Sequence, residues 1–170
     1  SIDHYGRYAF TNQPVIANWN LARFVETLLP LINPDQEQAL KIAENLIGEF
    51  DDLYQDAFHE MMKKKLGFIT DEDNDKMKIN SLLKLMHKNQ SDYTNTFRYL
   101  INKKTPQDKL LNDPDFIIWE NEWQKRIERN QSKEEAIKLM MQNNPIFIPR
   151  NHLVEEGLSD ANDGNMEKFQ

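Results

Sequence analysis

The chain has 170 residues and a formal net charge of -7, with 39% hydrophobic, 10% aromatic and 29% charged residues; that is one domain's worth of chain, with too many aromatic residues for a disordered one. The absence of cysteine excludes disulfide frameworks, iron–sulfur clusters and thiolate zinc sites, and the acidic balance argues against broad electrostatic binding to nucleic acid or to an anionic membrane. Glycine is scarce, at 5 residues, and valine occurs only as Val15, Val25 and Val154, so the composition disfavours sheet and predicts an irregular all-α domain spanning 1–170.

In chain order, Pro14 suits the first turn of a helix, with Asn12 or Gln13 outside it. Leu21, Phe24, Val25 and Leu28 then make a stripe at i, i+3, i+4, i+7. Pro30 and the turn Asn33-Pro34-Asp35 are expected to end that helix. From about 35 to 66 the positions of Ala39, Ala43, Leu46, Phe50, Leu53 and Ala57 predict a long helix with a packing seam and a kink near Gly48. Lys63, Lys64 and Lys65 ahead of Gly67 read as a helix C-terminus, where cations complement the dipole and glycine takes the left-handed cap.

Thr70 and the acids from Asp71 to Asp75 are expected to form the solvated start of the next helix, striped by Ile79, Leu82, Leu83 and Met86. Ser91 or Asp92 caps a helix with Tyr93, Phe97, Leu100 and Ile101 inward. Asp113-Pro114 opens one that carries Phe116, Trp119, Trp123 and Ile127. Ser132 and Glu135 form a capping box. Pro145 and Pro149 bracket an extended Ile146-Phe147-Ile148, and a short helix follows from Asn151 or His152. Trp19, Phe24, Phe50, Trp119 and Trp123 are expected in the core.

Recognised chemical motifs fail on inspection. The acids at 71, 73 and 75 imitate a calcium loop, but Lys76 stands where glycine is needed and Leu82 where a bidentate glutamate is needed. His59-Glu60 begins like a zinc-protease helix and lacks the second histidine; His4, His59, His87 and His152 are widely spaced. The isolated glycines form neither a dinucleotide fingerprint nor a phosphate loop, and no nucleophile elbow is present. Spacing alone identifies no enzyme, and no catalytic, cofactor-binding or metal-binding residue is assigned. No apolar run approaches the ~18 residues of a membrane span. Ser1-Ile2-Asp3-His4 is not a secretory signal, so a cytoplasmic location is expected. The start without methionine and the abrupt end are those expected of a piece of a longer chain.

Two segments depart from plain helical patterning. Tyr5-Gly6-Arg7-Tyr8-Ala9-Phe10 with Asn12-Gln13-Pro14, and Pro149-Arg150-Asn151-His152, combine polar side chains with special backbone. Arg7, Asn12, Gln13, Arg150 and Asn151 therefore form either a hydrogen-bonded network pinning irregular backbone or a contact to substrate or nucleotide.

Those segments, with Trp19-Asn20-Leu21-Ala22-Arg23, Lys65-Leu66-Gly67, Asp92-Tyr93-Thr94 through Phe97-Arg98, and Asn144-Pro145 through His152, resemble the selenoprotein O family of kinase-like protein adenylyltransferases. The resemblance implies a parent enzyme that binds ATP in an inverted orientation and, with Mg or Mn, transfers AMP to a protein hydroxyl. In that family the phosphate-binding lysine, the catalytic aspartate and the metal ligands precede the segment that Tyr5–Tyr8 matches, and the redox-active cysteine or selenocysteine lies near the far C-terminus. The chain is thus expected to be a helical C-terminal portion with no cofactor of its own, inactive alone, with the N-terminal catalytic part of the same polypeptide and the parent's protein substrate as partners. Transfer from UTP, or a non-catalytic helical interaction module, are the alternatives.

Overall fold

The computed structural model describes residues 5–104 and 108–167. They contain eight α-helices and no strand: α1 (Gln13–Ile32), α2 (Gln36–Gly48), α3 (Phe50–Lys65), α4 (Asp75–Asn89), α5 (Tyr93–Asn102), α6 (Pro114–Asn130), α7 (Lys133–Asn143) and α8 (Asn151–Asn162). Single 3-10 turns occupy Phe10–Asn12 and Lys109–Asn112. None of these helices is long and apolar enough to cross a membrane. The chain divides into two compact units, residues 1–60 and 61–170, the division falling within α3.

In the first unit α2 packs on α1. Asp35 accepts from the backbone N–H groups of Glu37 and Gln38 at 2.9 and 3.2 Å and so caps α2. The buried residues of α2 are Ala39 and Ala43, small side chains at i, i+4. Pro30 does not end α1, which runs one turn's fraction further to Ile32. Near a C-terminus the missing N–H costs one helical bond and the chain tolerates it. The long helix expected over 35–66 is interrupted at Glu49, beside Gly48, so the expected kink is a break between α2 and α3. Trp19 and Phe24 are 49% and 59% exposed, against the expectation that both are buried. Their stripe is helical, but the chain supplies little to cover it.

The second unit is built around α6, which packs on α4 and touches α7. Asp113 caps α6 through the N–H of Asp115 at 3.0 Å, and Pro114 follows as the first helical residue. Phe116, Trp119 and Trp123 are buried, their rings stacked in sequence at 5.8 and 6.2 Å. Ile79, Leu82 and Met86 of α4, Phe97 and Leu100 of α5, and Ala136 and Met140 of α7 complete the core. Each buried large side chain in this set is worth roughly 1.5–3 kcal/mol. The capping box of Ser132 and Glu135 forms as expected. Residues 144–150 are non-helical, and α8 begins at Asn151.

The α3–α4 corner is the unit's most constrained backbone. The N–H of Phe68 bonds to Lys63 O at 2.9 Å and that of Gly67 to Lys64 O at 3.1 Å, a Schellman closure with Gly67 at φ +78°. The acidic run after it is not simply a solvated helix start. Asp75, the first residue of α4, is buried against Arg126 of α6.

Candidate functional site

The segment Tyr5–Gln13 forms a tight turn stabilised by its own polar side chains. Gly6 sits at φ +68°. Its carbonyl accepts the Ala9 N–H at 3.0 Å and the Asn12 side-chain amide at 2.8 Å. The Gln13 amide donates to Tyr8 O at 2.8 Å. Asn12 and Gln13 thus use their side chains to fix backbone, which is the network alternative. Arg7 lies over the Trp19 ring at 4.8 Å and over Tyr8 at 5.8 Å, with Arg23 over the same indole at 5.9 Å. The guanidinium plane of Arg7 is thus held against the indole. The structure brings Arg7, Asn12 and Gln13 into one turn.

Arg150 and Asn151 belong to the other unit. The Arg150 guanidinium donates to Asp92, the N-cap of α5, so one carboxylate both caps a helix and anchors the residue that precedes α8. The Arg150 guanidinium is the chief reason the Asp92 carboxyl is held below the usual range, with the Asn95 N–H adding to the effect. Asn151 opens α8 and makes none of the contacts expected of a network residue among those the structure describes.

The strongest polar cluster is one that the sequence pattern did not single out. Arg126 is fully buried. Its Nε and Nη2 donate to Asp75 at 2.9 and 3.0 Å, Nη2 also reaches Thr70 O at 2.7 Å, and the guanidinium covers the Phe68 ring at 4.7 Å. Glu72 adds a second carboxylate at 3.2 Å and pairs with Arg129 as well. Around the same corner the Trp123 indole N–H donates to Leu66 O at 3.0 Å, the Gln131 amide bonds to Gly67 O and accepts from Ile69 N–H, and Asn144 donates to Lys65 O at 2.9 Å. Lys65 is itself buried, with Nζ on Asn143 O at 3.2 Å and over the Phe97 ring at 4.8 Å; burial pushes its ammonium below the usual lysine range. One signal for this cluster was present. Arg126 follows Trp119 and Trp123 at i+7 and i+3, on the face that buries them.

These carboxylates do not suit a divalent metal. Asp75 and Glu72 are turned onto Arg126, and Asp71 pairs with Lys63. Among the described residues no group of three or more His, Asp or Glu side chains is placed to hold an ion. The cluster instead fixes backbone, since a buried bidentate pair with a further carbonyl partner leaves few lone pairs for a ligand.

Comparison with known proteins agrees across the whole chain. The family described as "Protein adenylyltransferase SelO" matches residues 1–170. A "Protein nucleotidyltransferase YdiU" of Clostridium perfringens is 47% identical over 166 residues, covering 97% of this chain and 34% of the relative. Proteins of the same name from Bacillus mycoides and Bacillus cereus are 47% and 48% identical over 174 and 162 residues. The chain spans about a third of the length of these relatives.

Proposed function

This chain belongs to the SelO family of protein adenylyltransferases, and on that premise we propose that it is the helical C-terminal portion of an enzyme that transfers AMP from ATP to protein hydroxyls. The observation that carries the reading is the unbroken family match over residues 1–170 combined with a span of about a third of the relatives. In this reading the residues that hold ATP and Mg or Mn lie outside the segment, and the pairing of Asp71, Glu72 and Asp75 with Lys63, Arg126 and Arg129 supports it. Adenylyl transfer needs cationic or metal stabilisation of the α-phosphate and a base beside the attacking hydroxyl, and we assign neither role to a residue here.

What this chain contributes is support and orientation. The Tyr5–Gln13 turn, closed by Asn12 and Gln13, carries Arg7 on the Trp19 ring. Within the second unit the Arg126 cluster fixes the 70–75 segment to α6. The partners are the catalytic part of the same polypeptide and the protein acceptor, in the cytoplasm. Uridylyl transfer is the second reading, compatible with the relatives' name, which specifies a nucleotidyl group without the base.

The test compares this chain with the parent protein in the presence of labelled ATP or UTP, Mg or Mn, and a generic protein acceptor. The expected result is label transferred by the parent from ATP and none by the chain alone. A preference for UTP selects the second reading. Transfer by the isolated chain at a rate near the parent's overturns both and places catalytic groups among the residues described above.

A further inference from the structure

The net negative charge of this chain is concentrated in one stretch. Between Asp35 and Glu60 stand eight acidic residues against a single lysine, Lys41, a net charge of -7. The whole chain also sums to -7, so the residues outside that stretch balance one another. From Glu44 to Glu60 there is no lysine or arginine. The part of α3 that belongs to the first unit carries four of these acids.

A rotation of about 100° per residue sorts this part of α3 into three parallel rows. Phe50, Tyr54 and Phe58 form the first, half-buried, with ring centroids 6.4 and 6.1 Å apart along the helix. Leu53 and Ala57 form the middle row and are exposed, Leu53 by 67%. Asp52, Asp56 and Glu60 form the third, also exposed. In the first unit α2 packs on α1, but α3 has no comparable helix against it among the described residues. Asp52 lies in the first turn of α3, where the helix dipole favours an acid; Asp56 has no such support. Like charges at i, i+4 weaken a helix, and neither Asp52 nor Asp56 takes an ion pair among the described residues.

We propose that this face of α3 docks a basic amphipathic helix of another protein, its lysines or arginines on Asp52 and Asp56 and its apolar row on Leu53 and Ala57. Charge selects this occupant. A second copy of the chain would set acid against acid, and nucleic acid or anionic lipid would be repelled. A cationic helix meets an acidic row running beside an apolar one, the arrangement that sets partner choice and orientation between paired helices. Residues 50–60 span roughly 16 Å, so the partner contributes about three turns, a small contact of the transient class. The proposal goes beyond the nucleotidyl-transfer reading and does not depend on it, because it is tested by binding alone.

The probe is a fluorescein-labelled peptide of leucine and lysine, about 18 residues long so that it is helical, with lysines at i, i+4 beside a leucine row. Anisotropy is followed with this chain and with the parent protein, and backbone amide shifts with this chain. Saturable binding to both is expected, with the shifts centred on 52–57. Asp52→Asn combined with Asp56→Asn is expected to weaken binding at least about tenfold, and Leu53→Gln at least about fivefold. These side chains are exposed, so the melting temperatures should change little, which verifies the fold. The same peptide with glutamate for lysine, or scrambled so that it has no face, is expected not to bind. Absence of saturable binding, equal binding of the scrambled peptide, shifts that map off α3, or variants that keep the affinity each overturns the proposal. So does a parent protein that fails to bind because its own polypeptide covers the face, or self-association of the chain that the peptide displaces.

Discussion

The carboxylate of Asp75 lies against the guanidinium of Arg126 in a two-pronged pair, 2.9 Å at Nε and 3.0 Å at Nη2, with the two residues 3% and 0% exposed. Arg126→Met leaves Asp75 buried without its partner, and the expected cost is roughly 3–5 kcal/mol in denaturant melts. Arg126→Met combined with Asp75→Leu is expected to be less destabilised than the single change, because no charge is then stranded. A double variant weaker than the single would show that the pair itself, rather than the avoidance of an unpaired charge, holds the corner.

Gly67 and Gly48 are expected to respond oppositely to alanine. Gly67 has φ +78°, and a Cβ there would meet Ala136 O and Met140 Cγ at 3.0 Å. Both strain and overlap oppose Gly67→Ala, at a cost of roughly 2–4 kcal/mol. A Cβ on Gly48 meets nothing within 4 Å, so Gly48→Ala is expected to stabilise by about 0.5–1 kcal/mol. Thermal melts of the two variants check both signs.

Trp123 and Trp19 separate in the same way. Trp123 is 4% exposed, stacks on Trp119 and donates to Leu66 O. Its replacement by alanine should cost roughly 3–5 kcal/mol. Trp19 is half exposed, and Trp19→Ala in this chain is expected to cost under about 1 kcal/mol. A large loss at Trp19 in urea melts would mean that the first unit buries the ring in solution.

The Asp113 carboxyl is held down to about 2, first by the Asn89 amide at 2.8 Å, then by Lys88. A depressed carboxylate contributes stability that is complete above its ordinary value of 3.8 and is lost as pH falls from there through about 2. The carboxyl carbon of Asp113 should therefore titrate near 2 by NMR. In Asn89→Ala the midpoint should move up towards 3.8. An Asp113 midpoint unchanged by that substitution would assign the shift to Lys88 and the Asp115 N–H.

Local signals in this sequence were legible because they depend on near neighbours. The Ser132–Glu135 box, the Asp113 cap, the left-handed Gly67 and the apolar stripe of α6 all appear as read, and of Ser91 and Asp92 it is Asp92 that caps α5. What was not legible depends on partners far along the chain. Asp75 sits in an acidic run whose other members are mostly exposed, and only the arrival of Arg126 distinguishes it. Trp19 and Phe24 lie on a proper helical stripe, yet a stripe says which residues share a face and nothing of what covers it. Of the candidate site, the turn chemistry of Asn12 and Gln13 and the partnership of Arg150 were readable as polar groups beside irregular backbone. The Trp19 stacking of Arg7 needed coordinates.

The side-chain bonds to the 65–70 connector bear on the order in which the chain assembles. Its peptide groups find partners in Trp123, Arg126, Gln131 and Asn144, between 56 and 79 residues downstream. During synthesis α3 and α4 emerge first, and the N–H groups of Gly67 and Phe68 close locally, but the carbonyls of Leu66, Gly67 and Thr70 and the Ile69 N–H have only water until α6 and the residues after it have appeared. Closing so long a loop is slow in comparison with forming either helix. Two helices adjacent in sequence are therefore joined in their final geometry by the later part of the chain, and the joint is a late event in folding.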